Sequence, residues 1–224
     1  MGVKVGPRII QNGLILDVDA AVPRSYSGTG LTANGLISGI GGTLVNGTGF
    51  GTTNNGFFIF DGSNDYINFG NSSTLQQSSG SLSAWTKASS PGSGYRGIIA
   101  KQGAYGLFYT DSVLVAYDWA ADTPRSTGIN IADNTWKNVV LTYQSGVSNG
   151  TRIYINGVSV LTATITIQSQ VANLFGGAEA NANQFASCQI SSFNMYNRAL
   201  TAQEVLQNYN STKKRYGLWE HIVS

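Results

Sequence analysis

Residues 135–165 read "TWKNVVLTYQSGVSNGTRIYINGVSVLTATI". Their spacing predicts a strand over 136–143, a polar turn, a strand over 151–155 and a third strand over 158–165. Asn156–Gly157 joins the last two, and both residue types tolerate the positive φ that a type I′ hairpin turn demands. β-Branched and aromatic residues fill the runs, while Gly, Asn and Ser punctuate them. The same rhythm extends in both directions, with turn signals about every 8–12 residues, the spacing of a sandwich or barrel.

Upstream, Asn12–Gly13 separates the apolar runs Ile9–Ile10 and Leu14–Val18. Residues 27–55 are dense in Gly, Thr, Asn and Ser and read as loops with short strands. "GFFIFDGSNDYINFG" (56–70) gives a strand, a turn over Asp61–Asp65 and a second strand. "GSLSAWTKA" (80–88) alternates, and "RGIIAKQGAYGLFYTDSVLVAYDW" (96–119) gives three runs broken at Gln102–Gly103 and Asp111–Ser112. A loop is expected over 120–134, and strands over 171–176 and 187–196. No linker or repeat divides the chain.

The pattern changes once, in "ISSFNMYNRALTAQEVLQNYN" (190–210), where a strand gives way to helical spacing. Thr201 and Glu204 form a Thr-x-x-Glu capping box, and Leu200 with Val205 can close a hydrophobic staple. Leu200, Val205, Leu206 and Tyr209 predict one apolar face. A helix of about two turns does not persist alone in water, so it is expected to lie on the domain as a strap over its edge.

Composition narrows the function. Only 11% of the 224 residues are charged, Gly numbers 28, and 9 Phe, 11 Tyr and 4 Trp supply a core. That is a folded, turn-rich chain rather than a disordered one. A net charge of +2 argues against a phosphate-driven nucleic-acid binder. Cys188 is the single cysteine, so no internal disulfide or Cys-based metal cluster can form, and the thiol is expected in the core. No segment approaches the ~20 apolar residues of a membrane span, and no leading run has the form of a signal peptide.

Three stretches resemble the concanavalin A-like lectin/glucanase superfamily, in its laminin-G-like branch. They are "FDGSNDYINFGNSS" (60–73), "NTWKNVVLTYQSGVSNGTRIYINGVSV" (134–160) and the closing strand-and-helix segment above. "NGLILDVDAAVPRSYSGTG" (12–30) and the "RYG" at 215–217 resemble laminin-G-like structural proteins of tailed phages. Those relatives continue with Trp-x-Asp-x-Ser-Gly-x-Gly-Asn, and "LTANGLISGIGGTLVNGTGF" (31–50) departs from it. The resemblance implies an all-β, two-sheet antiparallel jelly-roll sandwich with one short C-terminal helix. It covers about residues 12–217, leaving 1–11 as an N-terminal docking segment and 218–224 as a tail.

Candidate chemistry is sparse. Retaining glycoside hydrolysis needs two carboxyls ~5 Å apart. The three glutamates, Glu179, Glu204 and Glu220, are scattered, Glu204 is explained by the cap, and His221 is the sole histidine. Asp17 and Asp19 have strand-like spacing, with a solvent-facing strand end as the blander explanation. No enzyme activity is expected. Laminin-G-like relatives often hold calcium, and Asp61 and Asp65 are the candidate ligands, set against a simple Asx-turn. For sugar, the candidates are Tyr95, Arg96, Tyr117, Asp118, Trp119 and Arg125, which offer rings beside hydrogen-bonding groups, against rings that merely seal an edge. Trp85 and Trp136 are expected in strands and core. Lys213, Lys214 and Arg215, with the apolar tip Trp219, Ile222 and Val223, are the candidate partner-docking elements.

The leading expectation is a non-catalytic virion structural protein of a tailed phage. It would be a lectin-like module on the capsid or tail, contacting other virion proteins, surface polysaccharide and further copies of itself. The alternative is a carbohydrate-binding lectin or, further off, a glycan hydrolase.

Overall fold

The hairpin expected at Asn156–Gly157 is present in a computed structural model of the protein, which describes residues 8–37, 39–89, 93–179, 181 and 183–218. In chain order the strands are β1 Leu14–Asp19, β2 Thr32–Ala33, β3 Gly42–Val45, β4 Gly49–Gly51, β5 Phe57–Asp61 and β6 Tyr66–Gly70. There follow β7 Ser79–Ala88, β8 Tyr95–Lys101, β9 Tyr105–Thr110, β10 Val113–Asp118, β11 Thr123–Asn130 and β12 Lys137–Gln144. The last six are β13 Thr151–Ile155, β14 Val158–Ala163, β15 Leu174–Gly176, β16 Ala178–Glu179, β17 Gln184–Phe185 and β18 Ser187–Tyr196. One helix, α1, spans Ala202–Thr212.

Two antiparallel sheets face each other. The first runs β14-β13-β12-β7-β18-β5-β4, and β1 joins it on β18. The far edge of β18 is shared: Ser187–Ile190 pair with β5, and Ser192–Tyr196 with β1. The second sheet runs β11-β10-β9-β8-β15-β6-β3-β2. Alternate side chains from both inner faces meet in one core, among them Leu16, Phe58, Leu82, Leu141 and Phe193 against Ile67, Phe69, Ile98, Leu107 and Leu114. Each such side chain contributes about 1.5–3 kcal/mol on burial. Cys188 lies in this core as expected, and burial pushes its thiol up to about 12.

Asn156 and Gly157 take φ of 52° and 81°, so the β13–β14 turn has its expected left-handed pair. The capping box is also present: Thr201 Oγ1 accepts from the Glu204 N–H, and the Glu204 carboxylate accepts from the Thr201 N–H. Leu200 and Val205 share a cluster with Leu14, Val140, Tyr154 and Tyr196 on the outer face of the first sheet. The helix therefore covers a face rather than an edge. It runs three turns rather than two; Arg198 grips Glu204 at its start through two nitrogens (2.8 and 2.6 Å), and a 3₁₀ turn over Lys213–Tyr216 follows its end. Leu206 is not on the buried face; it is 44% exposed.

The strand, turn and strand expected over 56–70 are present, and the Asp61–Asp65 turn carries the chain from the first sheet to the second, so β5 and β6 find partners in different sheets. Other expectations need correction. Residues 120–134 are not all loop. β11 is a polar edge strand on β10, and Pro124 is tolerated because an edge leaves N–H groups unpaired. The apolar run Ile9–Ile10 packs beside the helix cluster. Trp85 is buried beneath the helix on the outer face, stacked on Tyr216 (3.9 Å) and Tyr209 (5.8 Å). Trp136 just precedes β12 and sits half-buried over Tyr216 and Phe57.

Candidate functional site

On the outer face of the second sheet, β8, β9 and β10 present Tyr95, Phe108, Val115 and Tyr117, with Trp119 just beyond β10. Tyr95 meets Tyr117 edge-on at 5.5 Å, Tyr117 meets Trp119 at 5.3 Å, and Phe108 lies under Trp119 at 6.0 Å. These rings line a cleft of about 220 Å³ whose other walls are Gln102, Asp122, Glu179 and Gln184.

Two local devices build it. The β10–β11 turn lifts Trp119 and Asp122 over the rings, with Asp122 at φ 50°. Asp118 frames that turn from below, accepting from Ala121 N, Thr166 N and Arg125 Nη2 (2.7 Å). The opposite wall is the β16–β17 ribbon, which rests directly on Gly97. A Cβ there would meet the Ala178 carbonyl carbon at 2.3 Å and the Glu179 nitrogen at 2.4 Å, so only glycine admits the ribbon. Arg96 Nη1 donates to Phe185 O and ties the ribbon down.

The phenol of Tyr117 donates to Asp122 Oδ1 at 2.6 Å. That bond, with a smaller contribution from burial, pushes the Tyr117 hydroxyl up to about 12. Burial, and then the charge of Asp122, also raises Tyr95. Phe108 is buried as the floor, and Asp122 is exposed at the rim.

Of the six expected sugar-site residues, the structure brings Tyr95, Tyr117 and Trp119 together at the cleft. Arg96, Asp118 and Arg125 lie outside the lining. Arg96 holds the ribbon, and Arg125 bridges Asp118 to the Thr164 carbonyl between the two edge strands. Phe108, Gln102, Asp122, Glu179 and Gln184 were not anticipated. Phe108 was within reach, since it faces Val115 across the β9–β10 hairpin.

Asp61 and Asp65 both serve the turn between β5 and β6. Asp61 Oδ1 already accepts from the Ser63 and Asn64 N–H groups, an Asx-turn, and Asp65 accepts from the Asp61 N–H. Among the described residues no group of three or more His, Cys, Asp or Glu could hold a metal. Asp17 and Asp19 border a polar chamber of about 40 Å³ under α1, far too small for a sugar ring. Asp19 pairs with Arg215 at 2.6 Å, and Asp17 accepts from Asn194. Burial, then the charge of Asp19, raises Asp17 to about 6.

In the basic run, Arg215 also donates to the carbonyls of Asn54 and Gly56 and so closes the fold. Lys213 is buried over the Tyr209 ring, and Lys214 is exposed. Trp219, Ile222 and Val223 lie outside the described residues, as do 1–7 of the N-terminal segment. Among the described residues no helix is long and apolar enough to cross a membrane.

Two facing antiparallel sheets, one outer face capped by a helix and the other bearing a cleft, define a lectin-like jelly-roll sandwich. The chain belongs to the Laminin_G_3 family of the concanavalin A-like lectin/glucanases superfamily, whose model matches residues 61–206. A comparison with curated proteins found no match. Among solved structures, the binding domain of Paraclostridial Mosquitocidal Protein 1 is similar over 89% of this chain and 52% of that one (TM-score 0.68, 15% identity). Trypanosoma rangeli sialidase in complex with sialic acid is similar over 95% and 36% (TM-score 0.71, 13% identity). The botulinum neurotoxin serotype D binding domain is similar over 88% and 51% (TM-score 0.62, 18% identity). The chain thus spans about half or less of these proteins, and the likeness is one of fold.

Proposed function

We propose that the protein is a non-catalytic carbohydrate-binding module whose site is the aromatic cleft on the second sheet. The observation that carries this reading is the meeting of Tyr95, Tyr117 and Trp119 around an open cleft that also holds Asp122, Gln102 and Gln184. Sugar C–H faces pack on rings of this kind, and carboxylate and amide groups take the hydroxyls. Fold analogy adds support, since two of the similar structures are binding domains of toxins.

Asp122 is exposed at the rim, whereas Glu179 is 1% exposed and accepts from the Asn181 N–H in its own ribbon. Glycoside hydrolysis needs two carboxyls that reach the bond, so binding without turnover is the reading to test. On a glycan array the intact protein binds a subset of sugars, and Trp119→Ala loses them while still unfolding in one cooperative transition in urea. An array with no glycan bound, or turnover of a bound glycan, would overturn it. The finer reading is display on a tailed-phage particle, which rests on the resemblance of residues 12–30 and 215–217. Mass spectrometry of purified particles should find the chain there; its absence from them would sink that part alone.

A further inference from the structure

We infer that the cleft selects sugars bearing a free ammonium group, such as β-1,4-linked glucosamine oligomers, over acidic sugars; this rests on the sugar-binding reading of the same site.

Asp122 is the exposed carboxylate of the cleft, with Glu179 buried in the wall behind it, and among the described residues no Lys, Arg or His lines it. The guanidiniums on the strands around it are turned elsewhere: Arg96 to the Phe185 carbonyl, and Arg125 to the Thr164 carbonyl and Asp118. A sugar carboxylate would approach this wall without a counter-cation, and like charges brought together disfavour binding. An ammonium finds the opposite. The ring faces of Tyr95, Tyr117 and Trp119 carry negative quadrupole density that attracts cations, and Asp122 stands at the rim. The Tyr117 hydroxyl donates to Asp122 Oδ1 at 2.6 Å, which holds that carboxylate against the rings. Net charge works against the effect, because the whole chain carries +2 and would draw acidic sugars unspecifically. A preference for ammonium therefore reports the cleft.

Isothermal titration of the full chain near pH 6, where such amines hold their protons, would compare three tetramers: glucosamine, N-acetylglucosamine and galacturonic acid. The glucosamine tetramer should bind about tenfold more tightly than the N-acetylated one at low salt, with the galacturonic acid tetramer weakest. Asp122→Asn should narrow the gap, and Trp119→Ala should abolish binding of the glucosamine tetramer. Equal binding of the amine and its N-acetyl form would overturn the charge selection and leave the sugar site standing. Stronger binding of the acidic tetramer, or amine binding that survives Trp119→Ala, would also overturn it. No binding by any of the three would remove the sugar reading as well for these sugars.

Discussion

Asp17→Asn should stabilise the protein at pH 7. The carboxylate lies under α1 beside Asp19, accepts one bond from Asn194 Nδ2, and is raised from 3.8 to about 6. Each unit of such a shift corresponds to about 1.36 kcal/mol, so the two-unit gap sets a ceiling of about 3 kcal/mol. Asp17 is only partly buried, and water reaching it screens the charge; about 1–2 kcal/mol is the reasoned gain. The folded state holds this proton more tightly than the unfolded one. The stability it contributes is complete below 3.8 and lost as pH rises through 6. Asparagine keeps the acceptor for Asn194 and has no charge to bury. Urea titrations at pH 7 and pH 4, followed by tryptophan fluorescence, give the difference between variant and wild type at each pH. Taking that difference cancels Glu204, which lies well below its ordinary value and pulls in the opposite direction in acid. The difference should be positive at pH 7 and shrink towards pH 4. A variant less stable than wild type at pH 7, or a difference independent of pH, would mean that burying the Asp17 charge costs the fold nothing.

Gly97→Ala should push the β16–β17 ribbon off the sheet, since the added Cβ meets backbone at 2.3 Å. A loss of about 1–3 kcal/mol is expected, with ligand binding falling further than stability does; calorimetry and urea melts read the two separately. Glu204→Gln keeps a cap acceptor but loses the ion pair to Arg198, costing about 1 kcal/mol at pH 7. Because Glu204 is held at about 2, its contribution is complete above 4.5 and fades as pH falls through 2, so the variant and wild type should converge there. Tyr216→Phe keeps the stack on Trp85 and removes the 2.6 Å bond to Ser191, costing about 1 kcal/mol in a urea melt; a far larger loss would mean the hydroxyl has another role.

What was legible in the sequence was local. The Asn156–Gly157 turn and the Thr201–Glu204 box are decided within a few residues, and both stand where the spacing puts them. The partners of β5 and β6 were not legible, because alternation marks a strand's faces and says nothing of which sheet receives it. β11 escaped because an exposed edge strand carries no apolar period. The cleft was half legible. Tyr95, Tyr117 and Trp119 advertise themselves as rings near turns, whereas Asp122 and Glu179 come together only through the turn and ribbon that fold over them. Asp118 and Arg125 have the composition of a binding pair and serve as a brace.

Arg8 and Gln207 sit side by side, joined through the Gln207 amide to the Arg8 carbonyl, and the Ile10 N–H donates to Asn208. The chain thus enters and leaves its β body at one point, on the helix-covered face. The cleft opens on the opposite sheet. The seam between the first described residues and the helix therefore lies behind the sandwich, like a stem behind a flower, and the aromatic face is the one turned away from it.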